Sequence, residues 1–124
     1  MRMEIGLPRE VARGAPVSME LRLTNAGTHA REVVLQGRPT AFDLTVSCQD
    51  GVEVWRRLEG EVVSAILQLR VLAPGEALEL SHTWDQRGAD GAPVPPGDYL
   101  VRGEIPSDPP TAFRAGPVPL RIRP

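Results

Sequence analysis

Apolar and polar residues alternate along most of this chain, and the clearest run lies at residues 42–55. Phe42, Leu44, Val46 and Cys48 alternate with Asp43, Thr45 and Ser47, the period of a half-buried strand. After Gln49-Asp50-Gly51 a second run follows, Val52-Glu53-Val54-Trp55. Glycine supplies the left-handed conformation of a tight turn at no steric cost, so the two runs predict a β-hairpin. Two registers compete. A two-residue loop at Asp50-Gly51 pairs Trp55 with Val46 on the apolar face. A three-residue loop with a bulge at Gly51 sets Cys48 opposite Val52 and Val46 opposite Val54, and turns Trp55 to the other face beside Glu53 and Arg57. The second is preferred, because a one-residue slip would bury Glu53 and expose Val52 and Val54.

The same period recurs at 1–7, 17–24 and 32–36, then at 63–71, 78–84, 99–105 and 118–122. In 63–71, Val63, Ala65, Leu67, Leu69 and Val71 form the apolar row; a helix is conceivable there, but the period-two count is better and Pro74-Gly75 cuts the segment short. Leu78, Leu80, His82 and Trp84 share one face of the next strand. Residues 85–97 form the longest loop and 106–117 a second long one. Pro119 removes a ladder donor, so the last strand is expected at an edge or bulged at that point. The pattern predicts an all-β fold: an antiparallel β-sandwich of about eight or nine strands with Greek-key connections, in one domain spanning residues 1–124.

Composition narrows the chemistry. The 12 Gly and 13 Pro fall between the alternating runs, where all-β proteins place their turns. One cysteine excludes an internal disulfide, and Cys48 at an apolar position reads as a buried, inert thiol. The N-terminus has no apolar run of signal-peptide length and no stretch is long enough for a membrane helix, so a cytoplasmic, soluble protein is expected. A net charge of −2 offers no footprint for nucleic acid, although all 14 basic residues are Arg.

Catalytic signatures are missing. No Ser sits in a G-x-S-x-G elbow, His82 shares a face with Leu80 and Trp84, and Cys48 has no sequence-evident base. There is no Cys pair or H-x-x-x-H for a metal, and the loop D-Q-R-G-A-D-G lacks calcium-loop spacing. Neither cofactor nor metal is expected. Two features invite a protein partner. Trp55 beside Arg57 has the composition of an interface hot spot. The two Pro-rich loops, 85–96 with Arg87 and 106–116 with Arg114, suit the presentation of a fixed shape. Trp55, Arg57, Arg87 and Arg114 are therefore the candidate protein-binding residues.

Four blocks, spread over residues 23–103, carry a family resemblance: L-T-N-x-G at 23–27; F-D-x-x-V followed by D-G-x-E-V-W-R at 42–56; L-x-P-G-E running to T-W-D at 72–85; and P-P-G-x-Y-x-V-x-G at 95–103. In this order they resemble the bacterial intracellular proteinase inhibitor family, BsuPI-like. At 36–41 the chain departs from the Ser-Gly-x-x-Tyr character of that family. The resemblance implies an immunoglobulin-like sandwich without enzymatic activity that inhibits an intracellular subtilisin-type serine protease. The alternative is a non-inhibitory interaction or assembly module, either monomeric or a weak homodimer through an exposed strand edge. Tyr99, two residues before Val101, resembles a tyrosine corner, whose hydroxyl ties a Greek-key crossing to nearby backbone.

Overall fold

The structure is a computed structural model that describes residues 1–37, 40–61, 65–107 and 112–124. Ten strands follow in order among these: β1 (Arg2–Gly6), β2 (Glu10–Ala12), β3 (Val17–Thr24), β4 (Arg31–Gln36), β5 (Asp43–Cys48), β6 (Glu53–Arg56), β7 (Leu67–Leu72), β8 (Ala77–Trp84), β9 (Gly97–Pro106) and β10 (Ala112–Arg123). No helix occurs among the described residues.

The strands form an immunoglobulin-like sandwich. One sheet has the order β1-β3-β8, the facing sheet β2-β10-β9-β5-β6, and β4-β7 makes a separate two-stranded ribbon. All pairings are antiparallel except β2 with β10. Non-sequential neighbours, β3 with β8 and β5 with β9, are the crossovers by which such folds enclose a core between two layers.

Alternation explains the layers. In β3 Val17, Met19, Leu21 and Leu23 are buried while Ser18, Glu20 and Arg22 face water. In β9 Tyr99, Val101 and Ile105 do the same against Leu44 and Val46 of β5. Close packing accounts for one glycine: a Cβ on Gly103 would lie 2.3 Å from Cδ2 of the fully buried Leu21 in the facing sheet. The Tyr99 hydroxyl donates to the Pro95 carbonyl, as a tyrosine corner requires.

Several expectations need correction. The 8–16 segment, bounded by prolines and expected as a loop, contains a short strand, β2, which pairs with Arg121–Arg123. The second Pro-rich loop is mostly strand: β10 begins at Ala112, pairs with Pro106, and shifts register between Ala115 and Val118. The bulge thus precedes Pro119, which pairs with Leu100 at a level where β2 no longer covers β10. Part of that loop, 108–111, lies outside the described residues, as do residues 63 and 64 of the 63–71 run. In β7 the inward residue is Leu72, while Leu67, Leu69 and Val71 face solvent.

The hairpin register is half as expected. Cys48 N donates to Val52 O and Gly51 N to Cys48 O, with Gly51 at φ 91°, so the three-residue loop with its glycine bulge is present. A second irregularity follows: Ser47 pairs with Glu53 but Val46 pairs with Trp55, leaving Val54 as an extra residue. The bulge resets the parity and turns Trp55 to the core face beside Val46. The physical reason is the destination of the indole. It stacks on Trp84 at 5.5 Å and on His82 at 5.6 Å, both from the facing sheet, a gain that a regular ladder would have forgone.

Candidate functional site

The Trp55–Trp84 stack supports the loop at 85–96. Trp84 closes β8, and its indole Nε1 donates to Arg87 O at 3.0 Å. The carbonyl of Val54, the extra residue of the bulge, accepts from Ala89 N at 3.1 Å. A third fastening is Gln86, which is 2 % exposed and sits at φ 63°. Its Nε2 donates to Ala12 O (2.8 Å) and Ala15 O (2.7 Å), and its Oε1 accepts from Gly14 N (3.0 Å). The loop is thereby tied to β6, to the end of β8 and to the β2–β3 connection.

Internal bonds stiffen the same loop. Asp85 Oδ1 accepts from Arg87 N and Asp90 Oδ1 from Ala92 N, two side-chain turns of the kind aspartate favours. Gly88 N donates to Ala92 O, Gly91 N to Gly88 O and Val94 N to Gln86 O, each at 2.9 Å. The Arg87 guanidinium donates to Gly91 O at 2.8 Å. Val94 is buried as an anchor, whereas Ala89, Asp90, Gly91, Ala92 and Pro93 are exposed. The result is a solvent-facing tip on a pre-organised base.

The four sequence candidates separate. Trp55 and Arg87 come together through Trp84, Trp55 as a half-buried support and Arg87 within the loop itself. Arg57 packs its guanidinium 3.7 Å over the buried Phe42 ring and donates from Nη1 to Phe42 O. Its Nε is buried without an acceptor among the described residues, and burial pushes the guanidinium below its ordinary value. Arg114 lies elsewhere, paired with Glu104 at 3.2 Å on the outer face of the five-stranded sheet. That face forms an open polar groove of about 560 Å³. There Asp43 accepts from Arg56 Nη2 (2.7 Å) and Nε (3.0 Å) and from Leu58 N (3.1 Å), and its hydrogen bond raises the Arg56 guanidinium further.

His82 and Cys48 do not meet as a catalytic pair. His82 lies against Trp55, and its imidazole is held below the ordinary 6.5 by burial and then by the charge of Arg57. Cys48 is half-buried opposite Tyr99. No group of three or more His, Cys, Asp or Glu that could hold a metal occurs among the described residues. No described helix is long and apolar enough to cross a membrane.

With this geometry in view, the sequence matches the family described as "Intracellular proteinase inhibitor", BsuPI, over residues 7–109. The chain belongs to the BsuPI family. No curated protein matches the sequence. Among solved structures, the CARDB domain of a Pyrococcus furiosus protein is 15 % identical over 98 % of this chain and 85 % of that one, with a TM-score of 0.49. A Pseudomonas fluorescens alkylpurine DNA glycosylase, AlkC, is 14 % identical over 98 % of this chain but only 30 % of its own, with a TM-score of 0.50. A Listeria innocua β-glucosidase is 13 % identical over 98 % of this chain and 16 % of its own, at 0.43. The likeness to the glycosylase bears on the fold alone. In this BsuPI chain the D-G-x-E-V-W-R block of 50–56 is the bulged half of the hairpin, and T-W-D of 83–85 leads into the loop that the bulge receives.

Sequence reasoning missed Gln86 and the bulge at Val54. A buried glutamine in the left-handed region has no periodic signature. The bulge at Val54 had none either, because what it gains is the contact of Trp55 with Trp84 and His82 of the facing sheet.

Proposed function

We propose that this chain is a cytoplasmic, single-domain, non-catalytic protein that binds and inhibits a subtilisin-type serine protease, with the 85–96 loop as the protease-facing element. The observation that carries the reading is the family match over residues 7–109. The loop's fastening supports it physically. A segment already held by bonds to Val54, Trp84 and Gln86 loses little entropy on docking and resists the unfolding that cleavage demands. Arg87 shapes the loop, Trp55 supports it, and Arg57 stiffens the adjoining strand end. Arg114, on the outer face, would contact a partner only at a second surface. The reading involves no nucleic acid and no membrane.

The test is titration of purified protein against subtilisin-type proteases with a peptide substrate, together with intact-mass analysis of the inhibitor. Inhibition at micromolar concentration with the chain intact is expected. It should weaken at least tenfold in Asp90→Arg, which alters the exposed tip without touching the core. An absence of inhibition accompanied by rapid cleavage of the chain would overturn the proposal. Inhibition unchanged in Asp90→Arg would remove the loop from it.

A further inference from the structure

The aliphatic row that should have faced the core faces water. Leu67 is 53 % exposed, Leu69 68 % and Val71 59 %, and among the described residues β7 pairs on one side only, with β4. Partner residues settle the direction of its backbone. Gly37 N donates to Ile66 O at 2.7 Å, and the β4–β7 register continues that pair through Leu35–Gln68, Val33–Arg70 and Arg31–Leu72. In an antiparallel ladder hydrogen-bonded pairs alternate with non-bonded ones. Residues 66, 68, 70 and 72 therefore bond to β4, and Leu67, Leu69 and Val71 aim their N–H and C=O groups at the outer edge. The same three residues expose both their side chains and their main-chain groups.

Edge strands of monomeric proteins are commonly protected by Lys, Pro or a bulge. From Leu67 to Leu72 this strand has none of them, and its one charge is Arg70. We propose that the outer edge of β7 pairs with β7 of a second copy of this chain, antiparallel about a two-fold axis at Leu69. Three two-fold registers would bring bonding groups face to face. Centring on Gln68 leaves Val71 opposite residue 65, beyond the strand. Centring on Arg70 sets two guanidinium groups directly opposite. Centring on Leu69 pairs Leu69 with Leu69 and Leu67 with Val71 in both directions, and engages every free group of the three residues. It also places Arg70 opposite Gln68. A two-fold contact demands such self-complementarity, and this register meets it in side chains as well as main chain, with aliphatic opposite aliphatic and no like charges opposed. The edge is separate from the 85–96 loop, so the inference stands apart from the inhibitor reading.

Light scattering over the micromolar range tests it. A mass twice that of the chain is expected, and Leu69→Glu, at an exposed site that leaves the core intact, should restore the single-chain mass with unchanged circular dichroism. Val52→Glu, an equally exposed apolar residue on the hairpin, should leave the dimer unaffected. In a Cys48→Ser background, Leu69→Cys should oxidise to a linked dimer. Bonded antiparallel pairs stand about 5.5 Å apart at Cα, within disulfide reach. Arg70→Cys, opposite residue 68, should not link. A single-chain mass throughout, or a dimer that survives Leu69→Glu, would overturn the proposal and leave the edge to a foreign strand or to none.

Discussion

Gln86 offers the sharpest test of how the 85–96 loop is held. Replacing it with Ala deletes three hydrogen bonds and leaves Gly14 N–H and Ala15 C=O without their partner, while Ala12 O keeps Ala15 N. Each bond contributes about 1 kcal/mol net, and stranded groups near the surface regain some water, so the loss is about 2–4 kcal/mol. The backbone at 86 stays at φ 63° in either variant, a conformation that costs a residue with a Cβ about 1–2 kcal/mol and glycine little. Gln86→Gly should therefore be less destabilised than Gln86→Ala by about 1 kcal/mol, the reverse of the usual order in strands and helices. Gln86→Glu would aim a carboxylate oxygen at two carbonyls and should be at least as damaging as Ala. Denaturant unfolding of the three variants measures the order, and thermal melts should track it at roughly 3–6 °C per kcal/mol. Inhibition, where present, should weaken in the same order, because a released loop must be ordered on binding. If Gln86→Ala costs less than Gln86→Gly, or less than about 0.5 kcal/mol, the side chain does not fasten the loop and the reasoning fails.

Two further outcomes can be checked. Gly103→Ala adds a methyl 2.3 Å from Leu21 Cδ2 and should cost about 1–3 kcal/mol; paired with Leu21→Ala, which alone costs about 2–5 kcal/mol, it should cost less than the sum, and strict additivity in that double-mutant cycle would refute the steric account. His82 has its folded-state value lowered, by burial first and Arg57 second, so the unfolded chain takes up the proton at higher pH. Its contribution to stability is complete above 6.5 and is lost as pH falls through 6.5 toward the lowered folded value; unfolding midpoints of His82→Phe should show a shallower decline over that window, and an identical slope would show that His82 is not the group responsible.

Most strands were legible because period-two alternation reports burial directly. β3, β8 and β9 follow their patterns residue by residue, and Tyr99 forms the corner its spacing suggested; in β5 Leu44 and Val46 are buried as expected, but so are Asp43 and Ser47, because both faces of that strand are covered. The short β2 was not legible: three residues carry too little periodicity to stand out from a loop bounded by prolines. In β7 alternation was present and misleading, since it marks two faces without saying which one meets the core. Leu72, Val33 and Leu35 fill the inward side, leaving Leu67, Leu69 and Val71 outside. Of the candidate site, the loop and Arg87 were legible from turn chemistry, and the separation of Arg114 from them was not.

By itself the sequence determined which residues prefer to be strands, where the chain turns, and that Gly51 closes a three-residue loop. Those are local matters, decided by alternation and by the steric freedom of single residues. Only the tertiary structure decided where Trp55 points. One extra residue at Val54 reverses the parity of a strand, and its benefit comes from Trp84 and His82 on another sheet, far along the chain. Gln86 is the same case: its partners, Gly14, Ala12 and Ala15, lie more than seventy positions away, and no local pattern encodes a bond to them.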